Sequence, residues 1–189
     1  MQPCSTGPAR AAGFGEKDAL TAFDETLAAN GLGPQSPARL LAGRCRYYRQ
    51  KIDEGSYYRG FKPATISLPY DMGVFLKSLE PAFLAQVAGN AVSGKDLYAG
   101  MTGFLERPYL SETDGELDSF LIYVPTTYDP AKPAPVLIFL HGNGGGSYQS
   151  PVMPSYHTFL EACEARGVIL VAPNGKNRGG AANSVYEGA

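Results

Sequence analysis

The chain has 189 residues, a formal net charge of −2 and an ordinary balance of apolar (44%) and charged (18%) residues, which suits one globular core with a small appendage. That balance argues against a nucleic-acid partner. The scattered Cys4, Cys45 and Cys163 argue against a disulfide framework, and the lack of any apolar run near ~18 residues argues against a membrane span. Met1 to Gly15 has neither a basic n-region nor an apolar h-region and does not read as a secretory signal.

Residues 16–30, EKDALTAFDETLAAN, place Leu20, Phe23 and Leu27 at helical spacing, with Gly31 to end the helix. Ser36-Pro37 opens a second helix to about Glu54, an N-cap hydroxyl followed by proline at the first helical position. Its Arg44, Arg46, Arg49 and Lys51 read as a solvated basic face beside the packed Tyr47 and Tyr48, because a chain without basic excess gives no reason for an anion site. Residues 55–69 read as loop. Tyr70 to Ala88 reads as a helix with an apolar stripe from Phe75 to Val87, interrupted or kinked at Pro81. Gly89 to Asp96, GNAVSGKD, nearly matches a phosphate loop, but Asp96 puts a negative charge where a hydroxyl is required. A helix-ending loop is the reading taken.

After Gly103 the pattern turns extended. Phe104–Leu110 and Ser119–Val124 flank Asp114-Gly115, a hairpin signal, and both faces of the second arm are apolar, as in a covered sheet. Pro125 to Pro135 is a link. Val136-Leu137-Ile138-Phe139-Leu140 then predicts a strand buried on both faces, which stops at His141-Gly142 and enters a loop with Gly144, Gly145 and Gly146. Glycines let backbone N–H groups approach an anion, which suits an oxyanion hole or a phosphate cradle. Pro154 to Arg166 predicts a helix ended by Gly167, and Val168–Ala172 a strand parallel to the first in a right-handed βαβ unit. A glycine-rich polar stretch follows.

Residues 104–189 resemble the beginning of an α/β-hydrolase, most closely the esterase, polyhydroxyalkanoate depolymerase and prolyl-oligopeptidase-type serine hydrolases. The matching features are the hairpin ending LIYVP, the proline-rich link, LHGNGGG after a strand, the helix ending EARG, and VILVAPNG followed by Tyr186-Glu187-Gly188. The implied fold class is α/β: a partial α/β-hydrolase sheet, hairpin plus βαβ unit, preceded by an α-helical N-terminal region. The implied division is a helical region over 1–103 and, over 104–189, the N-terminal part of a hydrolase domain that stops before the nucleophile elbow.

By the same resemblance, Gly142, Asn143, Gly144 and Gly145 form the oxyanion-hole loop, with Asn143 or Gly144 as the donor, and His141 shapes the loop from its base. No serine stands in a G-x-S-x-G context: Ser147 is followed by Tyr148-Gln149, and Ser184 lies in ANSVY. His157 sits in the predicted helix as a surface or rim residue. The resemblance therefore places none of the triad in this chain. Tyr186 and Glu187 fall at the mouth of the cleft or in a solvated loop. No HExxH or CxxC marks a metal site, and Gly142-x-Gly144 lacks the third glycine of a dinucleotide fingerprint, since Ser147 occupies its place. The expected function is hydrolysis of carboxylic esters, with peptides second, through an acyl-enzyme and without a cofactor. The substrate is a small-molecule or polymeric ester, and the 189 residues alone are expected to be inactive. The alternative is a non-catalytic binding or interaction module that retains a hydrolase-like βαβ unit.

Overall fold

A computed structural model describes residues 18–53, 77–112, 114–140, 157–173, 176–177 and 184–185. Helix α1 (Ala19–Ala29) starts where the Asp18 carboxylate accepts the Leu20 N–H at 3.5 Å, and its helical spacing buries Leu20, Phe23 and Leu27. Helix α2 (Pro37–Asp53) opens on the expected proline, but the Ser36 hydroxyl expected to cap it has no hydrogen-bond partner among the described residues. At Pro81 the helix is interrupted, one of the two expected outcomes, and not kinked: Lys77 and Ser78 are helical, Leu79 and Glu80 break away, and α3 (Pro81–Val92) begins afresh. A proline in the first turn loses no intrahelical hydrogen bond, so it starts a helix at little cost. Helix α3 also runs on through Gly89 to Val92, so the first half of the near-phosphate loop is helical. Asp96 there caps the Tyr98 N–H at 2.9 Å and pairs with Arg107 at 2.8 Å.

Four strands form one mixed sheet: β1 (Gly103–Leu110), β2 (Leu117–Val124), β3 (Val136–Ile138) and β4 (Ile169–Pro173), in the spatial order β1-β2-β4-β3. β1 and β2 make the expected hairpin, closed at Leu110 opposite Leu117, with Gly115 at φ +72 in the turn. β2 meets β4 antiparallel, and β3 meets β4 parallel across α4 (His157–Arg166). Two short strands, β5 (Lys176–Asn177) and β6 (Ser184–Val185), pair antiparallel within the stretch read from sequence as a polar tail.

Register and the two-residue pleat divide the sheet into faces. Leu121 and Tyr123 of β2 stand level with Ala172 and Leu170 of β4, and Leu170 with Leu137 of β3. These residues pack with Cys163 of α4 and Tyr48 of α2 in one apolar cluster. The opposite face carries Val136, Ile138 and Leu140, which are 60%, 65% and 57% exposed. The strand expected to be buried on both faces is therefore an edge strand, covered on one side only among the described residues. A run of apolar residues reports hydrophobicity but not which neighbours arrive to cover it.

The helices have their own core, built from Leu20, Phe23, Leu27, Leu41, Leu84 and Val87. Leu105 of β1 belongs to this helical core, while Tyr48 of α2 belongs to the sheet's cluster. Each core thus contains a residue from the other layer.

Candidate functional site

In open sheets with parallel strands, ligands bind beyond the carboxyl ends of those strands. β3 and β4 supply such an end. Ile138 lies level with Val171, and the ladder continues one residue further through Phe139 N–H to Val171 O at 2.8 Å. Its amino end is secured by Ile169 N–H to Pro135 O at 2.9 Å. Both strands therefore finish side by side, β3 leading to Leu140 and β4 to Pro173.

His141, Gly142, Asn143, Gly144, Gly145 and Ser147, which follow Leu140 directly, lie outside the described residues, as do Tyr186 and Glu187. His157 is the first residue of α4, and Ser184 is in β6. The described part of the molecule brings none of the sequence-predicted site residues together. It supplies the frame from which the glycine loop departs and to which it returns.

That frame is fastened by residues that motif reading missed. Glu164, on the last turns of α4, accepts the Tyr123 hydroxyl at 2.7 Å and the Thr126 N–H at 3.1 and 3.0 Å to its two oxygens, and also the Thr126 hydroxyl. One turn-forming segment after β2 and one helix after the glycine loop are thereby tied to a single carboxylate. The hydroxyl of Thr126, then that of Tyr123, holds the Glu164 carboxyl below its usual range. Burial first, and then the hydrogen bond to Glu164, pushes the Tyr123 phenol up to about 12. Helix α4 ends immediately afterwards in a Schellman arrangement, with Val168 N–H to Cys163 O at 2.9 Å, Gly167 N–H to Glu164 O at 3.3 Å and Gly167 at φ +64. The only sequence signal for this tie was the polar Thr126-Thr127 pair ending an apolar strand.

Other hollows do not compete with the strand ends. A shallow hollow of about 430 Å³ beside α4 is lined by Tyr123, Leu160, Glu161 and Glu164. A larger one of about 650 Å³ lies between α1 and α2. Its charged lining is committed to ion pairs, Arg46 with Asp24 at 2.7 Å and Arg49 with Asp18 at 3.6 Å. Among the described residues no three His, Cys, Asp or Glu side chains gather as metal ligands, and no helix is long and apolar enough to cross a membrane.

No protein-family profile matches the chain. It is 33% identical over 107 residues to feruloyl esterase C of Emericella nidulans, a match that takes in 53% of this chain and 37% of the relative. The chain therefore spans little more than a third of that relative's length. Among solved structures, a ferulic acid esterase from Anaeromyces mucronatus in complex with ferulic acid is 21% identical with a TM-score of 0.31, over 43% of this chain and 32% of the other. The substrate-bound fluorophosphonate-binding serine hydrolase F of Staphylococcus aureus is 17% identical with a TM-score of 0.29, over 38% and 29%. Superpositions this partial carry no weight beside the sequence match. With the ordered hairpin, β3, α4 and β4 already traced, that match makes the chain a distant relative of feruloyl esterase C and supports its place in the α/β-hydrolase superfamily of serine hydrolases.

Proposed function

We propose that residues 104–189 are part of a serine hydrolase that cleaves carboxylic esters through an acyl-enzyme, and that the helical residues 1–103 precede this hydrolase part. The observation that carries the reading is the sequence match to feruloyl esterase C, with HGNGGG standing where β3 ends beside β4. In this proposal Gly142 to Gly145 supply a backbone N–H, from Asn143 or Gly144, to the oxyanion of a tetrahedral intermediate, and His141 shapes the loop. Preorganised donors are effective because charge develops on the former carbonyl oxygen only in the transition state. Removing one such donor typically lowers turnover by roughly 10²–10³-fold. A feruloyl ester, with its aromatic group on the acyl side, is the first substrate to try, since the relative is named for that acyl group.

The nucleophile, acid and base are proposed to lie outside these 189 residues, because no serine here has an elbow context. The test is incubation of the purified chain with a p-nitrophenyl ester and with a fluorophosphonate probe, in parallel with any longer product of the same reading frame. The expected result is no turnover or labelling by the 189 residues, and turnover by a longer product carrying G-x-S-x-G, lost on replacing that serine. Hydrolysis by the 189 residues that survives replacement of both Ser147 and Ser184 overturns the inactivity. A longer, folded product that cleaves no ester and takes no probe overturns the hydrolase reading in favour of a binding module.

A further inference from the structure

The side chain of Glu106 is fully buried, yet it belongs to β1, the strand at one edge of the sheet. One of its oxygens, Oε1, receives the Arg44 Nε–H at 3.0 Å and also the Tyr48 hydroxyl. Arg44 and Tyr48 lie one turn apart on α2, and Arg44 donates to the Tyr48 hydroxyl at 2.6 Å with its guanidinium 4.9 Å from that ring's centroid. The Glu106 backbone carbonyl accepts the Tyr98 hydroxyl, from the segment after α3. Its second carboxylate oxygen accepts no hydrogen bond among the described residues.

A buried carboxylate with one oxygen bare is a poor way to stabilise a fold, because desolvating two charges offsets most of their attraction. What such a pair does well is select one arrangement over others. An α2 shifted by one turn along β1 would bury Glu106 with no cation beside it, at the steep cost of an unpaired buried charge. The interlocked cores occur at the same place, with Leu105 among the helices and Tyr48 among the sheet residues. The approach there is close: a methyl group added to Gly43 would sit 3.2 Å from Leu117 Cδ2 of β2.

We propose that Glu106 is a latch, closed by Arg44 and Tyr48, that fixes the α1–α3 layer in one register on the sheet and makes the two layers open as a single unit. The inference is independent of the hydrolase reading. The test is hydrogen exchange of the 189-residue chain, read peptide by peptide by mass spectrometry across a urea series. In the unaltered chain, core peptides of α1–α3 and of β1, β2 and β4 are expected to share one urea midpoint. In Glu106→Gln, which keeps the shape and an acceptor but removes the charge, helical peptides are expected to exchange at least about tenfold faster than sheet peptides, and Arg44→Met should do the same. The double variant Arg44→Met with Glu106→Leu restores a folded chain by removing both charges, and its layers should remain uncoupled. Separate midpoints in the unaltered chain, or equal acceleration of both layers in Glu106→Gln, overturn the latch. If either single variant fails to fold, the double variant decides: uncoupled layers support the latch, and a single midpoint overturns it.

Discussion

Glu164 reaches from α4 to accept the Tyr123 hydroxyl of β2 at 2.7 Å, across 41 residues of chain that include the whole glycine loop. Replacing Glu164 by Gln keeps the shape and one carbonyl acceptor but removes the charge that Tyr123 and Thr126 share. The Tyr123 phenol should then ionise at lower pH than about 12, visible as an earlier phenolate absorbance in a spectrophotometric titration. The sign for stability follows. The Glu164 carboxyl is held below its ordinary 4.5, so its contribution is present above that pH and lost as pH falls below it. Thermal unfolding of the Gln variant should show a weaker acid dependence than the parent chain.

Gly167 occupies the left-handed position of the Schellman cap at φ +64, where an added Cβ would meet Thr127 Oγ1 at 3.7 Å. Space is sufficient but the backbone is not suited to an L side chain. Gly167→Ala should cost about 1 kcal/mol, and Gly167→Asn less, because asparagine tolerates this conformation. Urea unfolding of the two variants, with Asn the more stable, is the check.

The thiol of Cys45 is fully buried, with its Sγ donating to the Ser78 carbonyl at 3.4 Å. Burial first, then the nearby Glu106 charge, pushes it up to about 12 from 9.0. Cys163 is buried too, and burial raises its thiol. Both should resist iodoacetamide at pH 8 in the native chain and react in denaturant, read by mass mapping. The shift also makes stability fall with alkali: the Cys45 contribution is complete below 9.0 and is lost as pH rises towards about 12.

Leu170 and Ile138 give opposite expectations although both lie in short apolar strands. Leu170 is fully buried between Tyr123 and Leu137, so Leu170→Ala should cost about 2–5 kcal/mol in chemical unfolding. Ile138 points to the uncovered face, and Ile138→Lys should change stability by no more than about 0.5 kcal/mol. It should also reduce binding of an apolar dye and light scattering at high concentration, since a charge on an edge strand opposes pairing between chains. A large loss of stability in Ile138→Lys would show that this face is covered.

Much of the local structure is legible in the sequence, because spacing and caps act locally. The stripe of Leu20, Phe23 and Leu27, the Pro37 start, the Asp114-Gly115 turn and Gly167 each shape an element through neighbouring residues alone. What the spacing left open or misread is of another kind. Pro81 left interruption and kink open, and the break at Leu79-Glu80 makes it an interruption. The Arg-rich face of α2 is solvated only in part: Arg44 turns inward to Glu106, while the exposed Arg46 and half-buried Arg49 pair with Asp24 and Asp18. Partners 22 to 62 positions away carry no spacing signal. The glycine loop itself lies outside the described residues, and Val136–Ile138 beside Ile169–Pro173 gives only the strand end from which it departs.

The exchange of Leu105 and Tyr48 between the two cores bears on how this protein can be dissected. The change from helical to extended pattern near Gly103 invites excision there to isolate a smaller sheet-containing part. Such a cut would expose Leu105, strip the sheet's cluster of Tyr48 and leave Glu106 without the guanidinium that accompanies it. The excised piece would then carry a new apolar edge at β1 in addition to the open face of β3, so insolubility of that piece would reflect where it was cut and not whether its hydrolase fold is sound.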